Sequence, residues 1–148
     1  MEILFVCTGN TCRSPMAEAL LKSMTRSRGL GEIKVSSAGI AAATGSSASP
    51  LARDALDDGR ALDEHRARQV DNTLLAKADL VLTMTGQHAA ILRSQFPEHS
   101  DKVHALLEYV DETETDVADP FGGDRETYRR TRDQIESALV KVLARLTK

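Results

Sequence analysis

The stretch from Ile3 to Ala17 constrains this chain more than any other, because it reads as strand, tight loop and helix in immediate succession. Ile3-Leu4-Phe5-Val6 is a short apolar run, by length and composition a buried strand. Cys7-Thr8-Gly9-Asn10-Thr11-Cys12-Arg13-Ser14 follows it. Ser14-Pro15 then signals a helix start, with Ser as N-cap and Pro in the first turn. Met16, Leu20 and Met24, at i, i+4 and i+8, are joined by Ala17 and Leu21 in one apolar stripe, and Gly29 is the stop.

The rest of the chain repeats this alternation. Glu32 to Ala38 reads as a second strand ended by Gly39, and a small-residue loop runs on to Ser49. Ser49-Pro50 opens a helix from Leu51 to Asp58, closed by Gly59. A helix is expected over Asp71 to Ala78, a strand over Asp79 to Met84, a helix over Gln87 to Phe96 ended by Pro97, and a fourth strand over Lys102 to Leu106. Asp111 to Gly123 is an acidic loop, and Arg125 to Lys148 closes the chain as a helix with Ile135, Leu139, Val142, Leu143 and Leu146 on one face. Strands alternating with helices predict an α/β fold, an open parallel sheet with helices on both faces. At 148 residues, one domain spanning 1–148 is expected. In such sheets ligands sit at the C-terminal ends of strands where the strand order switches, and the Cys7 loop lies at one such end.

Composition excludes several function classes. A net charge of -3 lacks the basic stripe of a nucleic-acid binder. No apolar stretch nears the roughly 18 residues of a membrane span, and the start lacks a signal-peptide pattern. A cytoplasmic protein is expected, with no membrane partner. The two cysteines, Cys7 and Cys12, are too few and too close for a disulfide framework or a zinc site. His65, His88, His99 and His104 show no metal-ligand spacing.

Thiol reactivity is what remains. Cys-x5-Arg alone is weak evidence, but here it lies between a strand and a helix and contains Gly9. A loop wrapped this way points successive backbone N–H groups inward as an anion nest, backed by a helix N-terminus. Arg13 adds a planar fork for two phosphoryl oxygens. Those positive surroundings favour a thiolate, the form that attacks phosphorus. The bland alternative is that both cysteines are small buried hydrophobes. A leaving group also needs an acid, and Asp119-Pro120-Phe121-Gly122-Gly123 offers Asp119 on a loop with its own stiffeners and hinges. Taken alone, that Asp-Pro reads as an ordinary solvated turn.

The long first motif, Val6 to Glu18, resembles the signature of the low-molecular-weight protein tyrosine phosphatases. Ser36-Ser37-Ala38-Gly39, His65-Arg66-Ala67-Arg68-Gln69, Ala78 to Met84 and Asp119-Pro120-Phe121-Gly122 occur in that family's order, so the likeness spans essentially the whole chain. It implies a four-stranded parallel sheet in the order 2-1-3-4, with the phosphate-binding loop after strand 1. It implies Cys7 as nucleophile, Arg13 as phosphate clamp and Asp119 as general acid and then base. Thr8, Gly9, Asn10, Thr11, Cys12, Arg13 and Ser14 would hold the phosphate. Asn10 would also keep the loop's shape, and Ser14 would hydrogen-bond the Cys7 sulfur. No metal and no cofactor are implied, and the expected partners are phosphorylated proteins, met by a monomer. His65 would be structural.

Within that family the sequence is most similar to the bacterial protein-arginine phosphatases. Thr11 stands where tyrosine-specific members carry a larger aliphatic residue, and the acid loop lacks the tyrosine pair of the eukaryotic enzymes. Thr11 walls a phosphotyrosine ring less well than an aliphatic residue would, and with Asp119 it suits a polar guanidinium. The expected activity is phosphoarginine hydrolysis, with phosphotyrosine hydrolysis as the alternative. Cys12 could form a reversible disulfide with Cys7, or simply pack beneath the loop. A thiol-redox arsenate reductase would need further cysteines, and none follows Cys12. A phosphate-binding module without turnover is the remaining rival.

Overall fold

The structure is a computed structural model that describes residues Met1–Lys148. Four strands, β1 (Glu2–Cys7), β2 (Lys34–Gly39), β3 (Leu80–Thr83) and β4 (Val103–Ala105), form one parallel sheet in the order β2-β1-β3-β4. The six helices are α1 (Arg13–Ser27), α2 (Pro50–Ala55), α3 (Asn72–Lys77), α4 (Gly86–Gln95), α5 (Leu106–Tyr109) and α6 (Arg125–Leu146). The expected α/β class, the strand order 2-1-3-4 and the flanking helices are all present.

The sheet is covered on both faces, and β1 shows why. Ile3, Phe5 and Cys7 enter a core that also holds Met16 and Leu21 of α1 and Ile135 and Leu139 of α6. Leu4 and Val6, one residue out of phase, enter a second core with Leu75 of α3 and Leu92 of α4. A strand with both faces buried must be apolar at every position, which is how β1 reads. Because the chain moves from β1 to β2 on one side and later to β3 on the other, a crevice opens at the C-terminal end of β1. Cys7 sits there.

Element boundaries differ from the sequence reading at instructive places. Ser14 is not the N-cap of α1. The helix starts at Arg13 with Cys12 as its cap residue, which makes no side-chain cap bond, and the Ser14 hydroxyl is turned to Cys7 Sγ instead. Helix α2 stops at Ala55 rather than Asp58, because Leu56 takes an extended backbone and drops into the core. Asp57 is then free to pair with Arg132 of α6. A 3-10 turn over Pro97–Lys102 precedes β4, and Leu106, expected in that strand, begins the short α5. Ser49 does cap α2, accepting from the Ala52 amide.

Candidate active site

The loop between β1 and α1 is shaped by Asn10. Its backbone takes φ of 57°, a left-handed conformation that Asn adopts more readily than most residues. Its side chain, fully buried, faces away from the loop's open side. Nδ2 donates to Ser14 Oγ and Ser37 Oγ, each at 2.9 Å, and Oδ1 accepts from the Arg68 amide at 3.0 Å. His65 Nε2 meets the Asn10 carbonyl at 2.7 Å. Gly39 passes so close beneath that a Cβ there would lie 2.6 Å from the Thr8 carbonyl oxygen.

Cys7 Sγ lies inside this wrap and is almost fully buried. The Asn10 amide donates to it at 3.3 Å, and Ser14 Oγ is 2.9 Å away. Because Asn10 Nδ2 already donates to Ser14 Oγ, the serine's own hydrogen is left to the sulfur at 2.9 Å or the Ala38 carbonyl at 3.5 Å, of which the sulfur is the nearer. The Asn10 amide and the Ser14 hydroxyl thus both converge on Sγ.

Above the sulfur opens a pocket of about 300 Å³, lined by Cys7, Thr8, Gly9, Thr11, Cys12, Arg13, Asp119 and Phe121. Arg13 is 5% exposed, its Nη1 donating to the Val117 carbonyl at 3.0 Å while Nη2 stands 3.7 Å from Asp119 Oδ2. The guanidinium, carried by the first residue of α1, thus reaches across to the loop that holds Asp119. The acid loop is pinned on its N-terminal side. Val117 is buried and its amide donates to the Met84 carbonyl, and Asp116 Oδ1 accepts from the Gly86 amide at 2.8 Å. Asp119 Oδ1 accepts from the Phe121 amide at 3.0 Å, a turn that leaves the Phe121 ring 80% exposed at the rim.

Cys12, also on the pocket wall, is a largely buried free thiol with Tyr128 Oη at 3.4 Å and Ser49 Oγ at 3.6 Å. Burial raises the Tyr128 phenol above its usual range, and the contact with Cys12 works in the same direction. Asn10 and Ser14, expected among the phosphate-holding residues, lie behind the loop and not on the pocket wall. The sequence reading gave three neighbours no role in the site: Phe121 at the rim and Gly39 beneath the loop, both inside motifs that carry the family likeness, and His88, whose Nε2 is 2.9 Å from Thr8 Oγ1.

A buried thiol in contact with an amide and a hydroxyl, in a pocket shared with a guanidinium and a carboxylate from an opposing loop, suits the chemistry of a cysteine-dependent phosphatase. Comparison with known sequences agrees. The profile of the family described as low molecular weight phosphotyrosine protein phosphatase matches residues 2–148, and the chain belongs to that family. It is 47% identical over 148 residues to a protein-arginine-phosphatase of Bacillus subtilis (strain 168), covering 100% of this chain and 98% of that one. It is 43% identical to a protein-arginine-phosphatase of Geobacillus stearothermophilus, covering 98% and 95%. A low molecular weight protein-tyrosine-phosphatase PtpB of Staphylococcus haemolyticus is 39% identical, covering 91% and 92%. Among solved structures, a YwlE arginine phosphatase C7S mutant with a phosphorylated active site serine superposes with a TM-score of 0.94 at 46% identity. The match covers 100% of this chain and 97% of that one.

Proposed function

We propose that this chain is a protein phosphatase that hydrolyses phosphoarginine, through a phosphocysteine formed on Cys7. The observation that carries the chemistry is the placement of Cys7 Sγ on the pocket wall under its two donors, with Arg13 and Asp119 facing each other beside it. The loop amides and Arg13 hold the phosphoryl oxygens. Cys7 thiolate attacks phosphorus in line, the P–N bond breaks, and its electron pair goes to the guanidino nitrogen, which takes the Asp119 proton. Water then attacks the phosphocysteine, and Asp119 carboxylate accepts its proton. The S–P pair returns to sulfur, where the Ser14 hydroxyl and Asn10 amide stabilise the charge.

Three features favour arginine over tyrosine. Thr11 leaves the wall short and polar, Asp119 can accept from the guanidino N–H groups as well as protonate the leaving nitrogen, and two relatives above 40% identity are protein-arginine phosphatases. Phosphotyrosine is the second reading, favoured by the exposed Phe121 ring, which offers a face to any flat group. The reading carries with it phosphorylated proteins as partners of a monomer in the cytoplasm. Two free thiols suit a reducing compartment, and no helix is long and apolar enough to cross a membrane. Cys7 and Cys12 would pair reversibly under oxidation.

Steady-state kinetics on one peptide carrying either phosphoarginine or phosphotyrosine tests the assignment. The expected result is a higher kcat/KM for phosphoarginine, with Thr11→Ile moving the ratio toward phosphotyrosine. A preference for phosphotyrosine that Thr11→Ile leaves unchanged would defeat the arginine assignment.

A further inference from the structure

His88 is the one buried histidine, 7% exposed, and the chemistry above makes no use of it. It stands in the first turn of α4, where its backbone amide donates to Thr85 Oγ1. The same turn accepts the acid loop, through Gly86 N–H and Asp116 Oδ1. The ring itself reaches the nucleophile's loop: Nε2 is 2.9 Å from Thr8 Oγ1, and Thr8 is on the pocket wall. The other ring nitrogen, Nδ1, is buried with no hydrogen-bond partner.

That orphan decides the proton's place. A buried N–H left without an acceptor is costly, more so than a lone pair left without a donor. A neutral ring with its proton on Nε2 leaves only a lone pair at Nδ1, and in that tautomer His88 donates and Thr8 Oγ1 accepts. The Thr8 hydroxyl makes no other hydrogen bond in the protein, so its own hydrogen is left for a partner in the pocket.

We propose that His88 is a positioning residue of the reaction: its neutral ring donates from Nε2 to Thr8 Oγ1 and turns the Thr8 hydroxyl hydrogen toward the bound phosphoryl group. The proposal rests on the phosphatase reading of the pocket. Neutrality matters because a charged ring would put a donor on Nδ1 with nothing to receive it. The groups around the ring keep it neutral. Burial, then Arg13 from α1, lower its pKa to about 4, against smaller opposing effects of Asp116 and Asp119 from the acid loop.

The direct test is nitrogen NMR of the full-length 15N-labelled protein, following the two ring nitrogens of His88 between about pH 5 and pH 8. A neutral ring with the proton on Nε2 throughout is expected, and a proton on Nδ1 or a charged ring would overturn the proposal. Kinetics on the same phosphopeptide gives the second readout. His88→Leu should lower kcat by about tenfold, the rate equivalent of one net hydrogen bond, with KM little changed. His88→Gln, whose amide nitrogen can reach the place of Nε2, should recover most of that loss. Thr8→Val should match His88→Leu, and the double variant should be no slower than either alone. Additive losses, or no rescue by Gln, would reduce His88 to a packing residue. Wild-type turnover that vanishes in Cys7→Ser but survives intact in His88→Leu would sink the His88 role and leave the phosphatase standing. Absence of turnover in the wild type would sink the phosphatase itself.

Discussion

Every polar atom of the Asn10 side chain is engaged, and that saturation lets one residue hold a left-handed turn inside the molecule. Ser37 extends the chain by donating to Glu18 Oε1 at 2.6 Å, so the loop is braced from β2 and α1 at once. His88 braces it from α4 and adds a dependence on pH. Its pKa lies below the ordinary 6.5, at about 4. Between those values the unfolded chain binds a proton that the folded protein refuses, so stability rises with pH in that window. The contribution is fully present above pH 6.5 and is lost as pH falls toward 4. Thermal unfolding of wild type and His88→Gln over that range should show wild type losing more stability on acidification. Parallel curves would mean that the ring titrates normally.

Among the elements, the junction of β2 with the first loop is the tightest. The C-terminal residue of β2, Gly39, sits with Thr8 O and Asn10 N within 3.0 Å of where a Cβ would be, both backbone atoms that cannot swing aside. Gly39→Ala should therefore cost about 1–3 kcal/mol in chemical denaturation, the range for overpacking, and should lower kcat by displacing the anion nest. Unchanged stability and turnover would show that the loop does not depend on this close approach. The apolar runs of β1 and β3 and the periodic face of α6 were legible in the sequence because burial alone dictates them. The start of α1 was not. Ser-Pro is a sound capping signal, but the Ser14 hydroxyl is claimed by Cys7 and Asn10, contacts that local propensity cannot register. The end of α2 was hidden for a similar reason, since only the folded core shows that Leu56 must leave the helix. Cys7, Arg13 and Asp119 could be named from motif and spacing, whereas His88 lies 80 positions from Thr8 and only the order β2-β1-β3-β4 brings them together.

At the scale of the whole molecule, the site exists because three separate segments meet at the end of β1. The first loop and the start of α1 bring the thiol and guanidinium, Thr85 and the first turn of α4 bring His88, and the loop before α6 brings Asp119. Arg13 ties the first of these to the last through Val117 and Asp119. The division of labour between Cys7 and Asp119 is the central claim, and a rapid-quench experiment on Asp119→Asn tests it most directly. With p-nitrophenyl phosphate the leaving group departs without help, so phosphoryl transfer to sulfur should proceed while the hydrolytic step, deprived of its base, slows by about 10²–10⁴. A burst of nitrophenolate equal to the enzyme present, with the phosphate recovered on the peptide containing Cys7, is the predicted result. No burst with turnover continuing, or phosphate recovered on any other residue, would contradict the account.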